Sequence, residues 1–325
     1  MSAPADIERA KQFEAIAATD CSSLLGVEVA SAELIHDGRQ NTIVVVADTE
    51  GGKSCVRYRT ATEFWYEECI KEPFIESLGI VDIPAVLYAD DKRRPQLLIS
   101  EFVEGTLLHK LALDDEIAES VGRLMADVHV PSNGASNYLD FVEGKKSDPE
   151  VSWSGSFVKD FKSTAIDAGY EADSIDAFLT KYLPTIEAAE SSLVLVHNDA
   201  HFKNMILRPI GRICLLDWDS AVIAPPEKDF VKLMDWSHHN KAVVDTLIQA
   251  YEESRKYQLN PDLLNIFRIY SMLRQIVFQS KVAQEGLDES KLVQGGFFAD
   301  NTEQMQRLGQ LLGEMEMPRW VERKL

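Results

Sequence analysis

The sequence predicts an α+β protein in two lobes, and three observations predict it. The first third of the chain alternates apolar and polar residues in short strand-like runs. The remainder is dominated by long runs with helical period. The change falls sharply at Glu104-Gly105. With 325 residues the chain is long enough for one large domain or two modest ones. The expected division is an N-terminal lobe over residues 1–104, opened by a helical extension, and a C-terminal lobe over residues 105–325. A cleft between two such lobes is where a ligand would bind.

In chain order, residues 5–18 read as a helix, with Asp6 as cap and Ala10, Phe13, Ile16 and Ala17 on one face. "GVEVASAELI", "NTIVVVADT" and "KSCVRYRT" read as strands, with Gly51 and Gly52 supplying the positive φ of a tight turn between the last two. A helix follows over 61–78. "IPAVLYA" and "PQLLISEFV" return to strand, completing a mostly antiparallel sheet with one helix laid against it. Beyond Gly105, helical period marks "DDEIAESVGRLMADVHV" and residues 155–168, 173–190, 228–253, 262–284 and 302–315. The helical run is interrupted by "SSLVLV", a loop, "MIL", the turn "RPIGR" and "ICLLDWD".

Lys plus Arg number 33 and Asp plus Glu 53, a formal charge of −20. That balance argues against nucleic acid or an anionic membrane as partner; it suits a cationic ligand and also serves solubility alone. Cys21, Cys55, Cys69 and Cys214 show no metal or redox spacing and read as buried free thiols in a reducing compartment. No run approaches the ~18 apolar residues of a membrane span, and the N-terminal stretch has no apolar signal core. The protein is therefore expected to be cytoplasmic, as a monomer or homodimer.

The chemistry concentrates in "HNDAHFKNMILRPIGRICLLDWD", His197 to Asp219. If 205–207 pairs with 213–217 through the turn at 209–212, Asn204 and Asp217 end at the same edge, with Asp199 in the loop just before. One amide and two carboxylates packed together would repel unless a cation sits among them. A hard ion such as Mg²⁺ takes oxygen ligands and keeps several waters, which suits Asn204 and Asp217. Asp199, five positions upstream, is left to accept a proton from an attacking hydroxyl. Phosphoryl transfer requires that division of labour.

"HNDAHFKN" followed by "LLDWD" resembles the catalytic loop and metal-binding segment of the aminoglycoside phosphotransferase and choline kinase family, small-molecule relatives of the protein kinases. The resemblance runs from about residue 30 to 255 and implies a protein-kinase-like fold, with the first lobe binding nucleotide and the second carrying catalysis and acceptor. Protein kinases would place Arg before the catalytic Asp and Phe-Gly after the metal-binding Asp; here stand Asn198 and Trp218-Asp219. By the same resemblance His197 braces the loop, His129 is a packed structural histidine, and Asp229 of "APPEKDF" ties down the catalytic segment. "LLISEFVEGTLL" resembles the strand before the hinge and the hinge itself, so an adenine ring would bond main-chain groups near Glu101 and Val103.

The phosphate end departs from the family pattern. "LIHDGRQNTIVVV" holds a single glycine, Gly38, and backbone groups from Gly38 to Asn41 would have to cover the triphosphate, unless this is a plain hairpin turn. The strand "KSCVRYRT" has Arg57 where a phosphate-binding Lys is expected, with Lys53 and Arg59 on the same face. Glu63, Glu67, Glu68 and Glu72 are available to pair with it. Glu63 leads, because "TEFWY" resembles the family's entry into that helix.

The implied reaction is transfer of the γ-phosphoryl group of ATP (main-chain recognition leaves GTP open) to a hydroxyl of a small molecule, with Mg²⁺ as cofactor. An aminoglycoside, an amino alcohol, a sugar or a nucleoside-type antibiotic fits, the last implying antibiotic resistance. Asp219, Asp235 and Trp236 are the candidates to meet that acceptor. Trp153, Asp160, His238 and His239 lie in the same helical stretches, where a Trp serves the core as readily. Lys203 approaches the transferred group or points to water. A nucleotide-binding scaffold without turnover, and a protein kinase, are the alternatives. The intact Asp199, Asn204 and Asp217 stand against the first, and the missing Asp-Phe-Gly against the second.

Overall fold

The computed structural model describes residues 4–37, 41–59, 68–80, 82–236, 241–284, 308–313 and 315. The chain packs into two compact units. One comprises Met1–Val128, Asp199–Ala221 and Asn240–Tyr251; the other comprises His129–Asn198, Val222–His239 and Glu252–Leu325.

The first unit begins with helix α1 (Pro4–Leu25) and strands β1 (Val29–Asp37), β2 (Asn41–Asp48) and β3 (Lys53–Arg59). Helix α2 (Glu68–Ser77) follows, then β4 (Val86–Asp90) and β5 (Gln96–Glu101). The five strands form one antiparallel sheet in the order β1-β2-β3-β5-β4. The sheet alternates as a half-buried sheet must. Val44, Val46, Val56, Tyr58, Leu97 and Ile99 bury one face against Ala17 and Cys21, with Phe13 and Ile16 packed beside them. Arg57 lies one residue from both Val56 and Tyr58, so it points to the opposite face. Asp20 fastens α1 to this core. Its carboxylate accepts from Tyr58 Oη at 2.7 Å and pairs with Arg93 at 2.8 Å.

The β2–β3 turn corrects one detail. Gly51 has φ 92°, as a tight turn requires. Gly52 does not take a positive φ; a Cβ there would displace the Asp48 carboxylate, which accepts the Gly52 amide at 2.8 Å.

The chain then enters β6 (Thr106–Leu107) and helix α3 (Asp115–Val128). Gly105, at φ 149°, runs so close to β8 (Met205–Leu207) that a Cβ would strike the Leu207 carbonyl. That is why the strand pattern breaks at this residue. β6 pairs with β8, and β8 with β9 (Ile213–Leu215).

The second unit is mainly helical. It carries α4 (Tyr138–Val142), α5 (Trp153–Asp167), α6 (Ala172–Ala188), the antiparallel pair β7 (Val194–Val196) and β10 (Val222–Ala224), α7 (Glu227–Trp236), and α9 (Pro261–Gln284). Helix α8 (Lys241–Arg255) spans both units. The helix expected over 228–253 is seen as α7 and α8, and residues 237–240 between them lie outside the described ones. α5 starts where the Ser152 hydroxyl accepts the Gly155 amide at 3.0 Å. Its Phe157 and Phe161 meet Phe267, Tyr270 and Phe178 at ring separations of 5.2 to 5.9 Å. Trp153 stacks on Phe157 at 5.1 Å and is buried, so it serves the core rather than an open cation–π face.

Cys21 and Cys214 are free, buried thiols whose pKa values burial pushes up to about 11; Cys55 is half-buried rather than buried. Among the described residues no helix is long and apolar enough to cross a membrane.

Candidate active site

The hairpin forms as its sequence implies. Met205 faces Leu215 and Leu207 faces Ile213 in β8–β9, closed by a turn in which Gly211 takes φ 81°. The ladder runs one step beyond the strands: the Leu216 amide donates to the Asn204 carbonyl at 2.8 Å. Asn204 therefore stands beside the residue preceding Asp217. Trp218 is buried and its indole N–H donates to the Leu215 carbonyl at 3.1 Å. A one-turn 3₁₀ helix, Trp218–Ser220, is closed by the Ala221 amide on the Trp218 carbonyl at 3.1 Å.

Asp199 and Asn204 are brought together in the loop before the hairpin. The Asn204 side-chain NH₂ donates to the Asp199 carbonyl at 3.1 Å and to its carboxylate at 3.3 Å. With the NH₂ turned to Asp199, the amide oxygen faces the other way, which is the orientation a metal ligand needs. His201 is buried and accepts the Lys203 amide on Nδ1 at 3.2 Å. In the neutral ring the proton then sits on Nε2, which lies 3.6 Å from the Asp199 carboxylate. Asp217 adopts the left-handed conformation, φ 65° and ψ 70°, and Asn198 does the same at φ 64°. Such backbone strain in non-glycine residues concentrates at functional segments.

The approach to Asp199 is anchored in the second unit. The fully buried carboxylate of Asp229 accepts the amides of His197 at 2.8 Å and Asn198 at 2.5 Å, and meets His129 Nε2 at 3.1 Å. Burial pushes the Asp229 pKa up. The bond and charge of His129, the charge of His197 and the amide bond more than offset that, and the net value is lowered. His129 and His197 are themselves fully buried.

At the phosphate end, Arg57 Nη1 pairs with Glu72 Oε1 at 2.8 Å, and both side chains are nearly buried. Glu72 is therefore a partner of Arg57 among the described residues; the leading candidate Glu63, Glu67 and the Glu68 side chain lie outside them. So does Gly38, while Asn41 opens β2 opposite Arg59. In the hinge stretch the Glu101 amide is taken by the Ala85 carbonyl at 2.8 Å. The Glu101 carboxylate is held by Arg208 at 2.6 Å, a bond that lowers its pKa. Among the described residues neither main-chain group of Val103 has a hydrogen bond, which leaves that residue the better placed of the two for a ring. Asp219 offers its carbonyl to Lys71 Nζ at 2.8 Å. Asp235 and Trp236 end α7; their side chains, with His238 and His239, fall outside the described residues. Asp160 is bonded to the Tyr270 hydroxyl.

Among the described residues no three His, Cys, Asp or Glu side chains converge as a metal cluster. The fit for magnesium is of another kind. One amide and one carboxylate give hard oxygen ligands, and waters and phosphate oxygens complete such a site. Lys71, Glu72 and Arg208 were not singled out as site residues by sequence reasoning. Glu72 was legible only as one of four glutamates, while Lys71 and Arg208 carried no local signal.

The fold belongs with the small-molecule kinases. The structure matches the choline kinase LicA from Streptococcus pneumoniae with a TM-score of 0.62 at 16% identity, over 93% of this chain and 99% of that one. It matches a spectinomycin phosphotransferase in complex with ADP and spectinomycin at 0.58 and 11% identity, over 94% and 95%. A macrolide 2'-phosphotransferase from Brachybacterium faecium matches at 0.58 and 15%, over 84% and 94%. The chain belongs to the phosphotransferase enzyme family, whose model matches residues 32–260. No curated protein sequence matches it.

Proposed function

We propose that this phosphotransferase moves the γ-phosphoryl group of ATP to a hydroxyl of a small molecule, with Asp199 as the residue that orients the hydroxyl and takes its proton. The observation that carries the reading is the Asn204 side chain. It is fixed to Asp199 on one side and backed onto the residue before Asp217 on the other. Asn204 and Asp217 would hold Mg²⁺, which when bound neutralises phosphate charge. The rest falls to the chain itself. Arg57, held by Glu72, presents its guanidinium to the phosphate tail. Val103 offers main-chain groups to the adenine. The buried His201 ring packs beside Asp199, its Nε2 3.6 Å from the carboxylate. Catalysis by such a site is positioning and charge stabilisation.

Solved neighbours with bound ADP or AMP support the nucleotide. Neighbours named for choline, spectinomycin and macrolides support a small-molecule acceptor. The charge of −20 favours a cationic one. The division into a nucleotide-binding part before residue 104 and a catalytic part after it belongs to this proposal.

The test is transfer of label from γ-labelled ATP, and in parallel GTP, to a panel of amines, sugars, nucleosides and antibiotics in magnesium buffer. Melting is followed with each ligand. Labelled product with one acceptor class is expected. No transfer, and no rise in melting temperature with magnesium-ATP, would overturn the reading.

A further inference from the structure

Helix α2 carries two adjacent charged residues, Lys71 and Glu72, that are 3% and 4% exposed. Charged side chains are almost never buried this far without a task. Neighbouring positions on a helix point about 100° apart, so the two reach different parts of the unit. Glu72 pairs with Arg57 on β3, and Lys71 Nζ donates to the Asp219 carbonyl at 2.8 Å. That carbonyl sits in the 3₁₀ turn directly after Asp217. The turn is already fixed from inside by the buried Trp218 and by the Ala221 amide.

We infer that Lys71 is a positioning residue for Asp217: through the Asp219 carbonyl it locks the metal-binding turn to the helix that, one residue on, sets the phosphate-binding Arg57. Three features carry this. The bond is charge-assisted and comes from a lysine only 3% exposed, so it outweighs a surface contact. It grips the main chain, so it fixes the turn whatever side chain residue 219 carries. It also holds a segment whose first residue is in the left-handed conformation, which surrounding structure must over-determine to persist. One short helix then registers two groups that must act on the same phosphates. An ammonium beside a turn bearing Asp217 and Asp219 also offsets their repulsion when no ion is bound. The inference rests on the phosphotransferase reading, in which Asp217 is a magnesium ligand.

The test compares wild type, Lys71→Met and Glu72→Gln as full chains. ADP binding is measured by calorimetry in EDTA, then the magnesium constant is measured at saturating ADP. Lys71→Met is expected to raise the magnesium constant about tenfold, on the scale of one lost charge-assisted bond. Its metal-free ADP constant should stay within about twofold. Glu72→Gln should weaken metal-free ADP binding instead. That split separates positioning from mere damage to α2, which would move both constants together in both variants. Equal shifts in both constants for Lys71→Met, or no shift in either, would overturn the inference. If the methionine variant does not fold, Lys71→Gln keeps a shorter donor, and the same order is expected at about threefold. A wild-type protein that binds ADP with no magnesium linkage would remove the functional reading and this inference together. Normal wild-type linkage with an unchanged Lys71 variant removes the inference alone.

Discussion

The two ends of the candidate site, proposed to hold the metal and the phosphates, are built differently, and the difference lies in chain distance. At the metal end Asp199, Asn204 and Asp217 follow one another through a loop and a hairpin. Local pairing alone brings them together: Leu216 on Asn204, and Asn204 on Asp199. At the phosphate end Arg57 comes from a strand and Glu72 from a helix. Only the packing of α2 decides which carboxylate meets the guanidinium. A site assembled within one hairpin can be read from spacing. A site assembled between elements cannot.

The largest effect tests the local end. Asp199→Ala should lower phosphoryl transfer by about 10²–10⁴-fold, the usual worth of a positioned proton acceptor, while magnesium-nucleotide binding stays within about threefold. Steady-state kinetics with the acceptor found by the screen, beside nucleotide calorimetry, checks it. Turnover near wild type would mean that the hairpin geometry serves something other than this chemistry.

The next effect concerns what holds the approach to that loop. Asp229→Ala removes the acceptor of the buried His197 amide, the part-buried Asn198 amide and His129, and should cost about 3–5 kcal/mol, a drop in melting temperature of about 10 °C. The pH dependence has a defined sign. The folded-state pKa of Asp229 is lowered, so its contribution is present above the ordinary carboxylate range near 4. It is lost as pH falls through the folded value. Asp229→Asn should therefore flatten the loss of stability below about pH 4, measured by melting across an acid series. An unchanged acid arm would reduce this carboxylate to a spectator.

At the phosphate end, Glu72→Gln should raise the KM for ATP by about tenfold to a hundredfold and leave acceptor KM alone, since the guanidinium loses its buried partner. An unchanged KM for ATP would mean that the strand-to-helix pair is structural.

This contrast also explains how far the sequence was legible. The sheet followed from alternation, because one face is buried against α1. The pairing of β8 with β9 and the contact of Asn204 with Asp199 in "HNDAHFKN…LLDWD" followed because they are local in the chain. Gly105 was visible as a break, but its cause, the Leu207 carbonyl of β8, is a tertiary contact. That Glu72 meets Arg57 depends on how α2 packs on the sheet, which no local rule fixes. Lys71 looks in sequence like any solvated lysine, and only burial shows otherwise. The helical period of 228–253 is met over α7 and α8, on either side of residues 237–240, which lie outside the described ones.

The smallest effect falls where the two kinds of construction meet. Arg208, at the end of β8, holds Glu101, at the end of β5, through two N–H groups at 2.6 and 3.3 Å. The pair joins the catalytic hairpin to the strand that leads into Val103. It is a quarter to a third exposed, so screening by water keeps its worth to about 1 kcal/mol or less. The Arg208 bond lowers the Glu101 pKa, so this stabilisation is present at neutral pH and fades as pH drops through the folded value. Arg208→Ala should thus lower the melting temperature by a few degrees at pH 7, and by less as the pH falls through the folded value of Glu101. If the hairpin keeps its geometry unaided, the magnesium constant stays where it was in that variant. A magnesium constant that rises along with the lost stability would show instead that even the contiguous end of the site leans on a distant strand.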